Sequence, residues 1–304
     1  MTRRPLKNVV HSVHQRLLNK AKEEGRPFNE LLQYYAMERF LYRLSRSSHA
    51  NAFMLKGALM LTVWRAPVTR PTRDIDLLGR MDNAPDAVAA VMREVCAQDV
   101  EPDGLDFDAA SVRGKTIAED ADYRGVRVLF DGQLGNARVS MQVDVGFGDV
   151  VSGAQDRVEY PTILDLPAPQ LRGYSRESAI AEKLHAMVKL GEQNSRMRDF
   201  FDVWLLSGQF AFDGGALSDA FQRTFASRGT EFPALPVAFT DVFTDNDGRR
   251  TLWRGFLRKS RIKGAPQELS EVVAANAAFL GPVLCALSEG EAFGSTWTPP
   301  GPWR

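Results

Sequence analysis

Cysteine is scarce: Cys96 and Cys285 are the only two in 304 residues. They lie far apart, each in an apolar, helix-like run. That excludes a disulfide framework and a cysteine-built metal motif, and it suits a reducing compartment. Charge of one sign is missing too, since 38 Lys and Arg balance 38 Asp and Glu. Net charge therefore gives no pull toward nucleic acid, and any basic surface has to come from segregation. No apolar run reaches membrane-spanning length. The best candidate, 272–287, contains Asn276 and Pro282 and is expected to be a core helix. The N-terminus is basic but lacks the apolar stretch of a secretory signal, so a cytoplasmic location is expected. There is no Gly-x-Ser-x-Gly, no Walker loop and no plausible nucleophilic cysteine. His11, His14, His49 and His185 converge on no pattern and are read as non-ligands.

What remains is an ordinary globular composition on a chain long enough for one large domain or two small ones. Helical spacing of Val9, Val10, Val13, Leu17 and Leu18 predicts a helix over 5–25, which Gly25-Arg26-Pro27 breaks. A second helix follows over 29–46. A short buried strand is expected at 52–56, a turn at Gly57 and a helix at 58–64. The next strand carries Asp74-Ile75-Asp76-Leu77-Leu78. An amphipathic helix spans 84–97, and the acidic stretch 99–108 is taken as loop or strand edge. Segments 126–130 and 137–145 look like paired strands with a hairpin turn at 132–136. The proline-rich stretch 161–173 looks like a loop, and the domains are drawn as 1–165 and 166–304. From Ser175, a plausible N-cap, the pattern turns helical. The tail from Ser295 holds three prolines and two tryptophans, which leaves it either disordered or docked.

Three groups of residues carry chemistry. Asp74 and Asp76 are two apart on a strand, so they share a face while Ile75 and Leu77 enter a core. Paired carboxylates are unfavourable without a cation between them, and Mg²⁺ with its preference for oxygen ligands is the usual one. A solubilising surface pair is the alternative. Asp144 lies on a later strand, opposite in face to Val143 and Val145, as a third metal carboxylate or one half of a salt bridge. The second group is Lys183 with Arg196, Arg198, Asp199 and Asp202. Asp199 and Asp202 share a helix side. Lys183 is either part of a helix–helix salt-bridge set or a point-charge clamp for a triphosphate. The third is a basic run: Arg249, Arg250, Arg254, Arg258, Lys259, Arg261 and Lys263, with Trp253 and Phe256 between them. It is a solvated helix face or a contact for a phosphate backbone.

Leu55-Lys56-Gly57-Ala58-Leu59, with Arg70-Pro71-Thr72-Arg73-Asp74-Ile75-Asp76-Leu77, resembles the first motif of the AbiEii/AbiGii nucleotidyltransferase toxins. The segment from Ala181-Glu182-Lys183-Leu184 to Arg198-Asp199-Phe200-Phe201-Asp202 resembles the second. The likeness runs from about residue 10 to about residue 285. It implies an α+β fold: a polymerase-beta-like core sheet with flanking helices, and a helical C-terminal half. It implies toxins of type IV toxin–antitoxin or abortive-infection systems, some similar to enzymes that add nucleotides to the tRNA 3′ end. By this resemblance Asp74 and Asp76 are the metal aspartates, and Lys183, Asp199 and Asp202 complete the catalytic set. Thr72 falls where the family often has Ser or Thr. Ala58 stands where some members have Ser, so a hydroxyl contact to phosphate is missing.

The resulting expectation is a Mg²⁺- or Mn²⁺-dependent nucleotidyltransferase toxin with Asp74, Asp76 and Asp144 on the metal. Lys56, Gly57, Ala58, Thr72 and Lys183 would hold the NTP. Arg249, Arg250, Arg254, Arg258 and Lys259 would meet RNA, with the tRNA 3′ end as acceptor. A cognate antitoxin from a separate gene is the expected partner. A protein side chain as acceptor, or a non-catalytic nucleic-acid-binding module, is the alternative.

Overall fold

The computed structural model describes residues 6–66, 70–120, 123–153, 155–262 and 264–304. The chain forms two compact units, both discontinuous in sequence. The first runs to Trp64 and includes Thr72–Gly148 and Gln155–Gly173; the second takes Arg65–Pro71, Asp149–Ala154 and everything from Tyr174.

The first unit opens with α1 (Leu6–Glu24) and α2 (Phe28–Arg46), followed by β1 (Phe53–Lys56), the one-turn α3 (Leu59–Val63), β2 (Asp74–Gly79) and α4 (Pro85–Cys96). Then come β3 (Leu105–Asp120), β4 (Tyr123–Leu134), β5 (Ala137–Phe147), β6 (Gln155–Glu159) and β7 (Gln170–Gly173). Among the described residues these strands form one seven-stranded mixed sheet in the order β3-β4-β5-β2-β1-β7-β6. Alternation decides which side is wet. Leu55, Ile75, Leu77, Val126, Val128, Val143 and Val145 are buried in one core with α2 and α4. Phe40 of α2 meets Phe107 and Phe130, centroids 5.8 and 4.9 Å away. α4 starts with Pro85 in its first turn and has Asp86 near its N-terminus and Arg93 near its C-terminus, as the helix dipole favours.

The stretch 99–108, read as loop or strand edge, is loop up to residue 104 and then opens the longest described strand, β3, at the edge of the sheet. A register shift between Asp108 and Arg113 interrupts its alternation, which hides the strand period. Within 161–173, β7 pairs in parallel with β1 and antiparallel with β6. Its strand character comes from neighbours that no local pattern reveals. The hairpin turn is also shorter than expected: Leu134 pairs with Ala137, and Gly135 supplies the positive φ, +60°, that a two-residue loop needs.

The second unit is mostly helical, with α5 (Arg176–Leu190), α6 (Met197–Gln209), β8 (Phe212–Asp213), α7 (Gly214–Ser227), α8 (Asp241–Thr244), α9 (Asp247–Ser260), α10 (Leu269–Ser288) and β9 (Thr296–Trp297). The Ser175 side chain accepts a hydrogen bond from the Ser178 amide, the N-cap that its position suggested. Gly191 ends α5 at a φ of +47°. Among the described residues, only α10 is long and apolar enough to cross a membrane, and it is half buried within the protein. Its Asn276 is fully buried and donates to the Phe200 carbonyl. The tail is docked. β9 pairs with β8, the Trp297 indole donates to the Ser207 carbonyl at 2.7 Å, and Trp303 stacks on Phe279.

Candidate active site

In the first unit, the strand register builds a row of charge across the sheet. Asp76 on β2 pairs with Asp144 on β5 and with Lys56 on β1. Asp144 pairs in turn with Arg127 on β4, and Arg127 with Lys115 on β3. Residues that pair across strands share a face. One row thus carries Lys115, Arg127, Asp144, Asp76 and Lys56: two cations, two carboxylates and a cation. Asp74 sits two residues before Asp76 on the same face. Asp74, Asp76 and Asp144 each offer a carboxylate oxygen, and these atoms lie within 4.8 Å of one another. At such a separation two like charges repel by on the order of 3 kcal/mol near a protein surface, which Arg127 offsets at Asp144 and a bound cation could offset across the group.

Each carboxylate is held by its neighbours. Arg127 grips Asp144 with a two-pronged fork, Nε to Oδ1 at 2.8 Å and Nη2 to Oδ2 at 2.7 Å. Gln142 Nε2 adds a bond to Oδ2 at 3.1 Å. The Thr72 hydroxyl donates to Asp74 Oδ1, and the Thr72 amide donates to the Tyr34 hydroxyl at 3.0 Å. Gly57 lies against Asp76: a Cβ there would sit 2.0 Å from Oδ2, and its φ is +70°. The glycine therefore serves the carboxylate directly. The helix behind it, α3, is only five residues long, so its dipole adds little to anion binding.

The donor set fits a hard divalent cation such as Mg²⁺: three carboxylates, with no softer ligand in the group among the described residues. Asp144 takes part in both arrangements weighed from sequence, the carboxylate cluster and a strand-edge salt bridge. Arg127 was not singled out from sequence. The signal was present, because counting back from the turn at Gly135-Asn136 sets Arg127 opposite Asp144.

In the second unit, Lys183 on α5 lies between two carboxylates of α6. Its Nζ is 3.0 Å from Asp199 Oδ1 and 2.8 Å from Asp202 Oδ2. Arg70 holds Asp202 from the other side, Nε to Oδ1 at 2.8 Å and Nη2 to Oδ2 at 3.1 Å. Burial opposes charge on Asp202, but Arg70 and Lys183 outweigh it and hold the carboxyl down to about 2. Burial likewise opposes charge on Lys183, and Asp199 and Asp202 outweigh it, so its pKa is raised. Arg70 is the second residue that sequence did not single out. Beside this cluster in sequence, buried His185 has Nδ1 3.0 Å from Arg228 Nη1 and Nε2 2.9 Å from Thr230 Oγ1. An arginine only donates, so Nδ1 is the acceptor and Nε2 carries the proton. Burial and Arg228 push this histidine down to about 4.

The basic run does not present a uniform face. Arg249 is buried, and its guanidinium donates to the carbonyls of Glu192, Val242 and Phe243. This corrects the expectation for Arg249: it ties helix ends together and has no face to offer a phosphate. Trp253 is also core, its indole donating to the Pro266 carbonyl. Arg250 pairs with Asp245 at 2.6 Å and Arg254 with Glu268 at 3.1 Å. Arg258 and Lys259 are exposed. Lys263 lies outside the described residues.

A family model described as "Nucleotidyl transferase AbiEii toxin, Type IV TA system" matches residues 39–275. That span includes both the carboxylate row and the Lys183 cluster. Among solved structures, the chain is similar to one described as a candidate nucleotidyltransferase from H. pylori, with 14% identity, 86% of this chain and 96% of that chain covered, and a TM-score of 0.45. It is also similar to JHP933 from Helicobacter pylori, with 12% identity, coverage of 83% and 90%, and a TM-score of 0.39. No curated protein matches the chain.

Proposed function

The chain belongs to the AbiEii nucleotidyltransferase toxin family of type IV toxin–antitoxin systems, and from that premise we propose that it transfers nucleotides from an NTP to the 3′ end of tRNA. The observation that carries the catalytic part is the convergence of Asp74, Asp76 and Asp144 in one unit. Asp74 and Asp76 would hold Mg²⁺ or Mn²⁺, with Asp144 as third carboxylate. A bound divalent ion would neutralise the triphosphate and polarise its α-phosphate. The chain's own groups do the rest. Thr72 fixes Asp74, Gly57 gives Asp76 room, and Lys183, kept charged by its two carboxylates, is assigned to the triphosphate. Lys56 and the Gly57-Ala58 backbone are assigned to the nucleotide as well. The acceptor hydroxyl gives up its proton to solvent as its oxygen forms a bond to the α-phosphorus, and the bond to the leaving pyrophosphate breaks. Arg254, Arg258 and Lys259 are assigned to the RNA backbone, with Arg250 at their margin.

The test uses purified protein, α-labelled nucleoside triphosphates, total tRNA and Mg²⁺. Label is expected on tRNA. Asp76→Asn, which keeps shape and removes charge, is expected to lower labelling by at least a hundredfold, and chelation of the metal to abolish it until Mg²⁺ or Mn²⁺ is restored. Label on protein alone overturns the tRNA acceptor. Full labelling by the Asn variant overturns the catalytic assignment.

A further inference from the structure

We propose that Arg127 is a displaceable counter-cation of the carboxylate row: its guanidinium holds Asp144 until a metal-bound nucleotide arrives, then exchanges that carboxylate for a phosphate of the nucleotide. The inference rests on the nucleotidyltransferase reading of the row. Three observations carry it. Both oxygens of Asp144 are already taken by the Arg127 fork, at 2.8 and 2.7 Å, although Asp144 belongs to the cluster that suits a divalent ion. A cation entering that cluster meets the fixed positive charge of Arg127 on the carboxylate it needs. Metal and guanidinium therefore compete for Asp144.

The pair is also asymmetric. The Asp144 side chain is 9% exposed, whereas that of Arg127 is 33% exposed. The carboxylate is embedded in the sheet, and the guanidinium is the partner with room to move. An arginine fork matches phosphate oxygens as well as carboxylate oxygens, so the exchange keeps two charge-assisted hydrogen bonds throughout. Finally, Lys115 pairs with Arg127 on the side away from the carboxylates and is exposed. A phosphate taken by Arg127 meets a second cation there.

The test measures Mn²⁺ binding by electron paramagnetic resonance, and binding of a non-hydrolysable NTP analogue with Mn²⁺ by calorimetry, on the full chain. Arg127→Gln is expected to bind Mn²⁺ alone about tenfold more tightly than wild type and the nucleotide analogue about tenfold more weakly. Loss of a merely structural ion pair would weaken both. Mn²⁺ affinity that is unchanged or reduced overturns the competition, and unchanged nucleotide affinity overturns the exchange. Arg127→Met removes both the charge and the fork; it is read in the same two assays if the Gln variant does not fold, with the same directions expected. Mn²⁺ binding by neither wild type nor variant would defeat the metal reading itself. Binding by wild type without change in the variants defeats only the role of Arg127.

Discussion

Gly57 and Asp76 compete for the same space, and this makes the glycine a residue of the site. In Gly57→Ala the new methyl would start 2.0 Å from Asp76 Oδ2 on a backbone at φ +70°. The strain is about 1–2 kcal/mol, and the carboxylate has to move. We expect at least a hundredfold loss of nucleotide transfer with the fold retained, read by the labelling assay beside a melting curve; an active Ala variant would show that Asp76 tolerates displacement. Lys183→Met removes the cation shared by Asp199 and Asp202. Breaking such a buried set costs about 3–5 kcal/mol. Asp202 has a folded value near 2 against an ordinary 3.8, so its contribution is present above about pH 4 and is lost as pH falls toward 2. The stability gap between wild type and variant should narrow over that window in urea titrations, and a constant gap would exclude Asp202 as the coupled group. The ion-pair set of Lys183, Asp199 and Asp202 was one of two readings of their spacing, and their catalytic role rests on the resemblance. Arg127 and Arg70 were harder to see. Each is one basic residue among many until a register or a tertiary contact gives it a carboxylate.

At the scale of elements, α2 is tied to the 161–169 loop through charges inside the core. Glu38 and Arg39 are almost fully buried. The Glu38 carboxylate accepts from the Ile163 amide at 2.6 Å, and Arg39 donates to the Pro167 carbonyl at 2.8 Å. The two side chains approach to 2.8 Å, yet Glu38 Oε1 and Arg39 Nε lack a hydrogen bond. Burial pushes the Glu38 carboxyl from 4.5 up to about 7, against the pull of Arg39. Across that window the unfolded chain holds fewer protons than the folded one, so stability falls as pH rises. Glu38→Gln should remove this slope and gain on the order of 2–3 kcal/mol relative to wild type between pH 4.5 and 7. Chemical denaturation at both ends of the window checks it, and parallel slopes would rule it out. The same scale shows where sequence falls short. Leu105, Asp106, Phe107 and Asp108 already alternate, but the irregular register after Asp108 breaks the pattern before it can be recognised. β7 is four residues whose pairing partners are β1 and β6, and no window of sequence contains all three.

For the molecule as a whole, periodicity showed helices and strands along the chain, and the resemblance supplied the mixed α/β architecture with its helical second half. The fate of the tail was not, because docking depends on a distant surface. Trp297 is 3% exposed, and Trp303 donates to the Phe279 carbonyl at 2.8 Å. Deleting 295–304 should cost more than about 3 kcal/mol, as loss of buried aromatics does, measured by urea unfolding; an unchanged midpoint would mean that the tail is dispensable. The domain division at 165/166 remains our proposal; β7 pairs within the sheet of the first unit, so expression of 166–304 alone, followed by its melting, tests whether the C-terminal part folds without that sheet. One further consequence lies in the pairing of β2 with β5. Asp76 meets Asp144 only through a parallel pair closed across β3 and β4. A ribosome making this toxin has released Asp74 and Asp76 long before Asp144 is synthesised, and Lys183 comes later still. Completion of the carboxylate row is thus tied to synthesis of more than the first half of the sheet, and the growing chain lacks that row until β5 has been made.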